Sequence, residues 1–153
     1  MQVRIQEADF DVGSELAGLR RADPSVGALA SFVGLVRDVS GGAGVSEMHL
    51  EHYPGMTEKA LAAIVGEALQ RWSLIDVLVI HRVGRLLPTD QIVLVAVAAA
   101  HRAEAFAACA FIMDYLKTRA PFWKRELTPE GARWVEAREA DDRAAERWRQ
   151  PGG

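Results

Sequence analysis

The stretch Phe111-Ile112-Met113-Asp114-Tyr115-Leu116-Lys117-Thr118-Arg119-Ala120-Pro121-Phe122-Trp123-Lys124-Arg125-Glu126 changes its periodicity at Pro121. Ahead of the proline, Ala105, Cys109, Ile112 and Leu116 form a stripe at helical spacing, with Phe106, Ala110, Met113 and Lys117 on the adjacent one. Behind it the period drops to two, placing Phe122, Lys124 and Glu126 on one face of a strand and Trp123, Arg125 and Leu127 on the other. These periods require a helix over about 102–119 followed at once by a strand. Lys117, Arg119, Lys124 and Arg125 flank the break. Where the chain reverses at Pro121, Lys117 and Lys124 converge on a half-buried cationic pocket suited to an anionic substrate. Arg119 and Arg125 beside them, together with partial burial, are expected to disfavour the charged ammonium and lower both lysine pKa values. A lysine tuned in this way exchanges protons near neutrality or acts as a nucleophile, roles closed to arginine. The same residues also fit a solvated basic helix end that complements the helix dipole. Phe122 and Trp123 favour the pocket.

Working outward, a short strand near Val3 to Gln6 precedes a helix from about Gly13 to Arg21, which Asp23-Pro24 ends. The apolar run Val26 to Val36 reads as a buried strand. Ser40 to Gly44 reads as a mobile loop, and Val45 to Tyr53 alternates as a strand. Pro54-Gly55 turns the chain into a helix through about Trp72, with Thr57 as its expected cap and Leu61, Ile64, Val65, Ala68 and Leu69 on its buried face. Ile75 to Val83 and Gln91 to Ala100 are β-rich, joined across Gly84 to Asp90 by a hairpin-type connection. Thr128-Pro129-Glu130-Gly131 is a turn, Trp134-Val135 a brief strand, and Glu139 to Trp148 a charged terminal helix. Helices and strands mix without strict alternation, so the fold class is α+β, a mixed or antiparallel sheet covered by helices.

Composition narrows the function. The 153 residues are 50% hydrophobic and 25% charged, as in an ordinary soluble domain. With no repeat or linker, residues 1–150 read as one domain and Pro151-Gly152-Gly153 as a disordered end without function. The net charge of −3 opposes general nucleic-acid binding, so a cationic site must be local. The lone Cys109 excludes an internal disulfide and reads as a small core residue. Met1-Gln2-Val3-Arg4 opens no targeting segment and no apolar run reaches membrane-spanning length, so a cytoplasmic protein without membrane association is expected.

Other candidates are individually weaker. His101-Arg102 sits where a strand hands over to a helix, a place where backbone N–H groups and the helix dipole favour phosphate, although an incidental helix start fits this dipeptide alone better. Arg37 follows Phe32-Val33-Gly34-Leu35-Val36 and precedes the glycine-bearing loop, as a clamp for an oxyanion under a movable lid or as a surface ion-pair partner. Strand alternation sends His49 and His52 to opposite faces, which argues against a metal site. No phosphate-binding loop, dinucleotide fingerprint or nucleophile elbow occurs.

Gly34-Leu35-Val36-Arg37, Leu50-Glu51-His52-Tyr53-Pro54-Gly55-Met56, Ile80-His81-Arg82-Val83-Gly84, Ala100-His101-Arg102 and Met113 through Glu126 together resemble, in order and spacing, the large catalytic subunit of molybdopterin synthase. The resemblance runs from about Val26 to Trp148. It implies an α/β-hammerhead-like subunit that dimerises and binds two copies of a small ubiquitin-like sulfur carrier, giving a heterotetramer. The carrier's C-terminal Gly-Gly thiocarboxylate would enter the large subunit and put two sulfurs on cyclic pyranopterin monophosphate, making the dithiolene of molybdopterin without a metal or other cofactor. Carried onto this chain, the catalytic positions are Lys117 and Lys124. The substrate contacts are these two with Phe32, Leu35, Val36, Arg37, His101, Arg102, Met113, Arg125, Glu126 and Arg138. Relatives carry a polar or basic residue at the position of Leu35, so a backbone contact is expected there. Arg138 resembles a position that reaches the neighbouring subunit's site. Two other readings fit the same residues: a non-catalytic binding module that keeps the anion pocket, and a nucleotide- or RNA-binding domain using the Lys117 to Arg125 patch.

Overall fold

The computed structural model describes residues 1–135 and 139–149. In chain order it forms β1 (Gln2–Gln6), α1 (Val12–Ala22), β2 (Ala28–Leu35), β3 (Val39–Ser40), β4 (Ala43–Gly44), β5 (Glu47–His52), α2 (Met56–Arg71), β6 (Asp76–Arg82), β7 (Gly84–Leu86), β8 (Gln91–Ala99), α3 (Arg102–Arg119), β9 (Phe122–Thr128), β10 (Gly131–Val135) and α4 (Glu139–Glu146), closed by a 3-10 turn at Arg147–Arg149. The fold is α+β. A four-stranded sheet in the order β1-β6-β8-β2 and another in the order β10-β9-β5-β7 share no ladder, and β3 and β4 pair as a small ribbon. Among the described residues, β1 and β6 run parallel and the other strand pairs are antiparallel.

Both faces of the first sheet are covered, which explains the continuous apolar runs of its central strands. Val77 and Val79 of β6 and Val93, Val95 and Val97 of β8 face the cluster built by α2 and α3. Their alternates Leu78, Ile80, Leu94 and Ala96 meet Phe10 and Leu19, beside and on α1. Asp11 starts α1 by accepting from the Ser14 N–H at 2.8 Å. Helix α3 is buried on a wider arc than one stripe, since Ala108, Phe111 and Tyr115 are buried along with Ala105, Cys109, Ile112 and Leu116. The extra cover comes from α2 and from the C-terminal segment, where Trp148 Nε1 donates to Asp114 Oδ2 at 2.6 Å and packs edge-on against Phe111 and Trp72.

Three expectations need correction. Thr57 is not the cap of α2, because Gly55 occupies that position at φ 86°, reachable without a Cβ penalty. The Thr57 hydroxyl instead accepts from the Tyr53 N–H and donates to the Pro121 carbonyl at 3.1 Å, bracing the turn before β9. The hairpin across Gly84 to Asp90 is not a simple one: β6 and β8 pair antiparallel as expected, but β7 between them leaves the first sheet to pair with β5 in the second. Ser40 to Gly44 is not a free loop, since β3 and β4 pair across Gly41 and Gly42, both at positive φ. No described helix is long and apolar enough to cross a membrane.

Candidate active site

A cavity of about 560 Å³ opens where the two sheets meet. One wall is the end of β2 and the residues after it, from Phe32 to Arg37; the opposite wall is β9, through Phe122, Lys124 and Glu126, with Lys117 entering from the last turn of α3. The register of β2 against β8 shifts between Gly34 and Leu35. Past that irregularity the Val36 N–H donates to the Asp90 carbonyl at 2.9 Å and the Thr89 N–H to the Val36 carbonyl at 2.8 Å. Val36 is therefore buried and pinned, while Leu35 and Arg37 are exposed at the rim. Lys117 and Lys124 come together as the period switch at Pro121 required, both on the cavity wall.

Glu126 is also on the wall, only 5% exposed, and accepts from Ser40 Oγ at 2.9 Å. The Ser40 carbonyl in turn accepts from Arg133 Nη2 at 2.6 Å. The β3–β4 ribbon is thus tied to both β9 and β10 beside the cavity. The two arginines expected to tune the lysines are engaged elsewhere. Arg119 pairs with Glu67 at 3.0 Å and lies 3.8 Å over the Tyr115 ring, and Arg125 sits on the outer face of β9 over Trp134.

Other predicted contacts lie away from the cavity. Met113 is buried in the core cluster and Arg125 faces outward. His101 and Arg102 are exposed at the start of α3, and at 1.5 Å per residue Arg102 stands about 22 Å along the helix from Lys117. Arg138 and residues 151–153 lie outside the described residues.

His81, on β6, lines the cavity although its residue type drew no role from sequence reasoning. Its ring stacks on Phe122 with centroids 3.8 Å apart and planes 18° from parallel. Nδ1 lies 2.8 Å from the Arg82 carbonyl, which can only accept, so Nδ1 carries the proton. Burial pushes its pKa down from 6.5 to about 3, the nearby charges of Lys124, Lys117 and His52 add to that, and the bond to Arg82 opposes it. The ring is neutral at physiological pH. A lone imidazole in the apolar run of β6 was the available signal. The wall thus combines lysine and arginine cations with a buried carboxylate and a neutral imidazole, a set able to hold an anion and move protons beside it.

Comparison with known proteins shows the family of the whole chain. The family model described as MoaE protein matches residues 5–119. The molybdopterin synthase catalytic subunit of Ralstonia nicotianae is 70% identical over 146 residues, covering 95% of this chain and 83% of that protein. The subunit of the same name from Pseudomonas aeruginosa is 57% identical over 148 residues, covering 97% and 99%. The solved molybdopterin biosynthesis MoaE protein of Burkholderia ambifaria superposes with a TM-score of 0.83 at 61% identity, covering 96% of this chain and 97% of that one.

Proposed function

The chain belongs to the MoaE protein family, and from that premise we propose that it is a molybdopterin synthase catalytic subunit that transfers sulfur to a pterin. The sulfur comes from the C-terminal Gly-Gly thiocarboxylate of a small ubiquitin-like carrier, and the acceptor is cyclic pyranopterin monophosphate, which takes two sulfurs. The observation that carries this reading is the shared wall of Lys117, Lys124, Arg37 and Glu126 in one cavity at the end of β2. Arg37 and the lysines offset the charge of the cyclic phosphate and of the entering thiocarboxylate. As sulfur bonds to the pterin side chain and the phosphate ring opens, the leaving oxygen needs a proton, which a lysine ammonium supplies. Release of the carrier replaces sulfur by a water oxygen at its terminal carbonyl, and a neutral lysine takes up the proton that water loses.

In this reading two copies of the chain and two carriers form a heterotetramer. His101 and Arg102 stand too far along α3 to serve their own cavity, so their phosphate-holding role falls to the cavity of the second copy, the role that the family resemblance also implies for Arg138. The test mixes purified protein, thiocarboxylated carrier and cyclic pyranopterin monophosphate and follows oxidised pterin products by mass and fluorescence. Product is expected only with all three, and Lys117→Ala is expected to lower the rate by about 10²-fold or more without altering the fold. Carrier binding without product would leave a binding module, and wild-type turnover by Lys117→Ala would remove the lysine assignment.

A further inference from the structure

Anion-binding cations alone cannot orient a flat heterocycle, which also presents N–H donors that need acceptors. His81 is 4% exposed, and its ring is held twice, by the Phe122 stack and by Nδ1–H on the Arg82 carbonyl. That leaves Nε2 as a bare acceptor. Among the described residues, the buried side-chain polar atoms without a partner are Arg4 Nε and Glu104 Oε2, and Nε2 of His81 is not one of them. With no hydrogen bond to a described residue, Nε2 keeps solvent contact, and the space the ring borders is the cavity. We propose that His81 is a specificity-determining residue whose Nε2 accepts a hydrogen bond from an N–H group of the heterocycle bound in this cavity.

The charged and titratable groups around the ring reinforce this role. Lys117 on α3, Lys124 on β9 and His52 on β5 each disfavour a second proton on the imidazole. The ring therefore stays an uncharged acceptor in a cavity that also holds the donors Arg37, Lys117 and Lys124 and the carboxylates Glu126 and Asp141. A base this weak does not take the proton outright, which separates it from the general acid–base work assigned to the lysines.

The inference rests on the pterin reading for the identity of the donor, and two measurements keep the two apart. In protein labelled with ¹⁵N-histidine, the His81 Nε2 resonance is expected at the shift of an unprotonated ring nitrogen from pH 5 to 8; a protonated Nε2 in that range overturns the proposal, whatever the substrate. Binding of cyclic pyranopterin monophosphate and of inorganic phosphate is then compared in the complex with the carrier. His81→Phe keeps the stack and loses the acceptor, and it is expected to weaken pterin binding about tenfold while leaving phosphate binding unchanged. His81→Gln places an amide oxygen near the same point and is expected to stay within about threefold of wild type. Unchanged pterin affinity in His81→Phe, equal losses for pterin and phosphate, or a loss in His81→Gln as large as in His81→Phe would each overturn it. If wild-type protein binds phosphate but no pterin, the pterin reading fails, and the ring-nitrogen measurement still judges His81 by itself.

Discussion

Lowering the pH from 8 to 5 should cost this fold about 2 kcal/mol through His81 alone. The unfolded imidazole titrates near 6.5 and the buried one near 3, so between those values the unfolded chain binds the extra proton. Stability is therefore complete above about pH 6.5 and falls as pH drops toward 3. At pH 5 the unfolded side gains RT ln(1 + 10^1.5), about 2 kcal/mol, and the native side gains almost nothing as long as its pKa lies below about 4. Carboxylates held low by their own hydrogen bonds, Asp9 and Asp23, lose stability at more acidic pH and stay outside this window. Urea unfolding at fixed protein concentration would follow wild type and His81→Phe at pH 8, 7, 6 and 5. With a denaturant slope of about 1–3 kcal/mol/M, the wild-type midpoint should move by about 1 M more than the variant's. Parallel pH curves for the two proteins would refute the claim that burial keeps this ring neutral.

Trp148→Ala should destabilise by about 3–5 kcal/mol in the same assay, because it empties a buried aromatic site and strips Asp114 of a hydrogen bond. A loss below about 1 kcal/mol would show that the C-terminal segment does not anchor α3. A Cβ at position 27 would lie 2.2 Å from the Ala100 carbonyl oxygen, so Gly27→Ala should displace the start of β2 and cost several kcal/mol, read from its melting temperature. Burial pushes the Cys109 thiol up to about 11, so alkylation at pH 8 should run about 10²-fold slower than in urea-unfolded chain. Rapid labelling of native protein would contradict that burial.

Most of the fold was legible because its periods are local. The switch at Pro121 located α3 and β9, and the apolar runs gave β2, β6 and β8. What escaped depends on pairing between distant segments. Nothing in Gly84-Arg85-Leu86 announces that it crosses to another sheet, and the pairing of Ser40 to Gly44 rests on two glycines that equally suit a loose loop. Lys117, Lys124, Glu126 and Arg37 line one cavity; the helix and strand periods at Pro121 were the signal for the first three, and the place of Arg37 after an apolar strand was the signal for the fourth. His81 was missed because its role arises from a ring stack and a cavity wall, neither visible in a single strand. His101 and Arg102 were placed with the lysines through the family resemblance, and within one chain the length of α3 sets them apart.

The cavity lies at a seam. Ladder hydrogen bonds fix the spacing of residues along each wall, Phe32 to Leu35 against β8 and Phe122 to Glu126 against β5. Among the described residues no ladder runs between the walls, and the gap is held by the small apolar cluster of Val36, Met48, Leu50 and Leu86 with Ile92 and Phe122 and by the stack of His81 on Phe122. The pocket is consequently stiff in the plane of each sheet and compliant across it. Its aperture is set by a handful of methyl and ring contacts, so a group entering at the seam spreads packed side chains and breaks no ladder hydrogen bond.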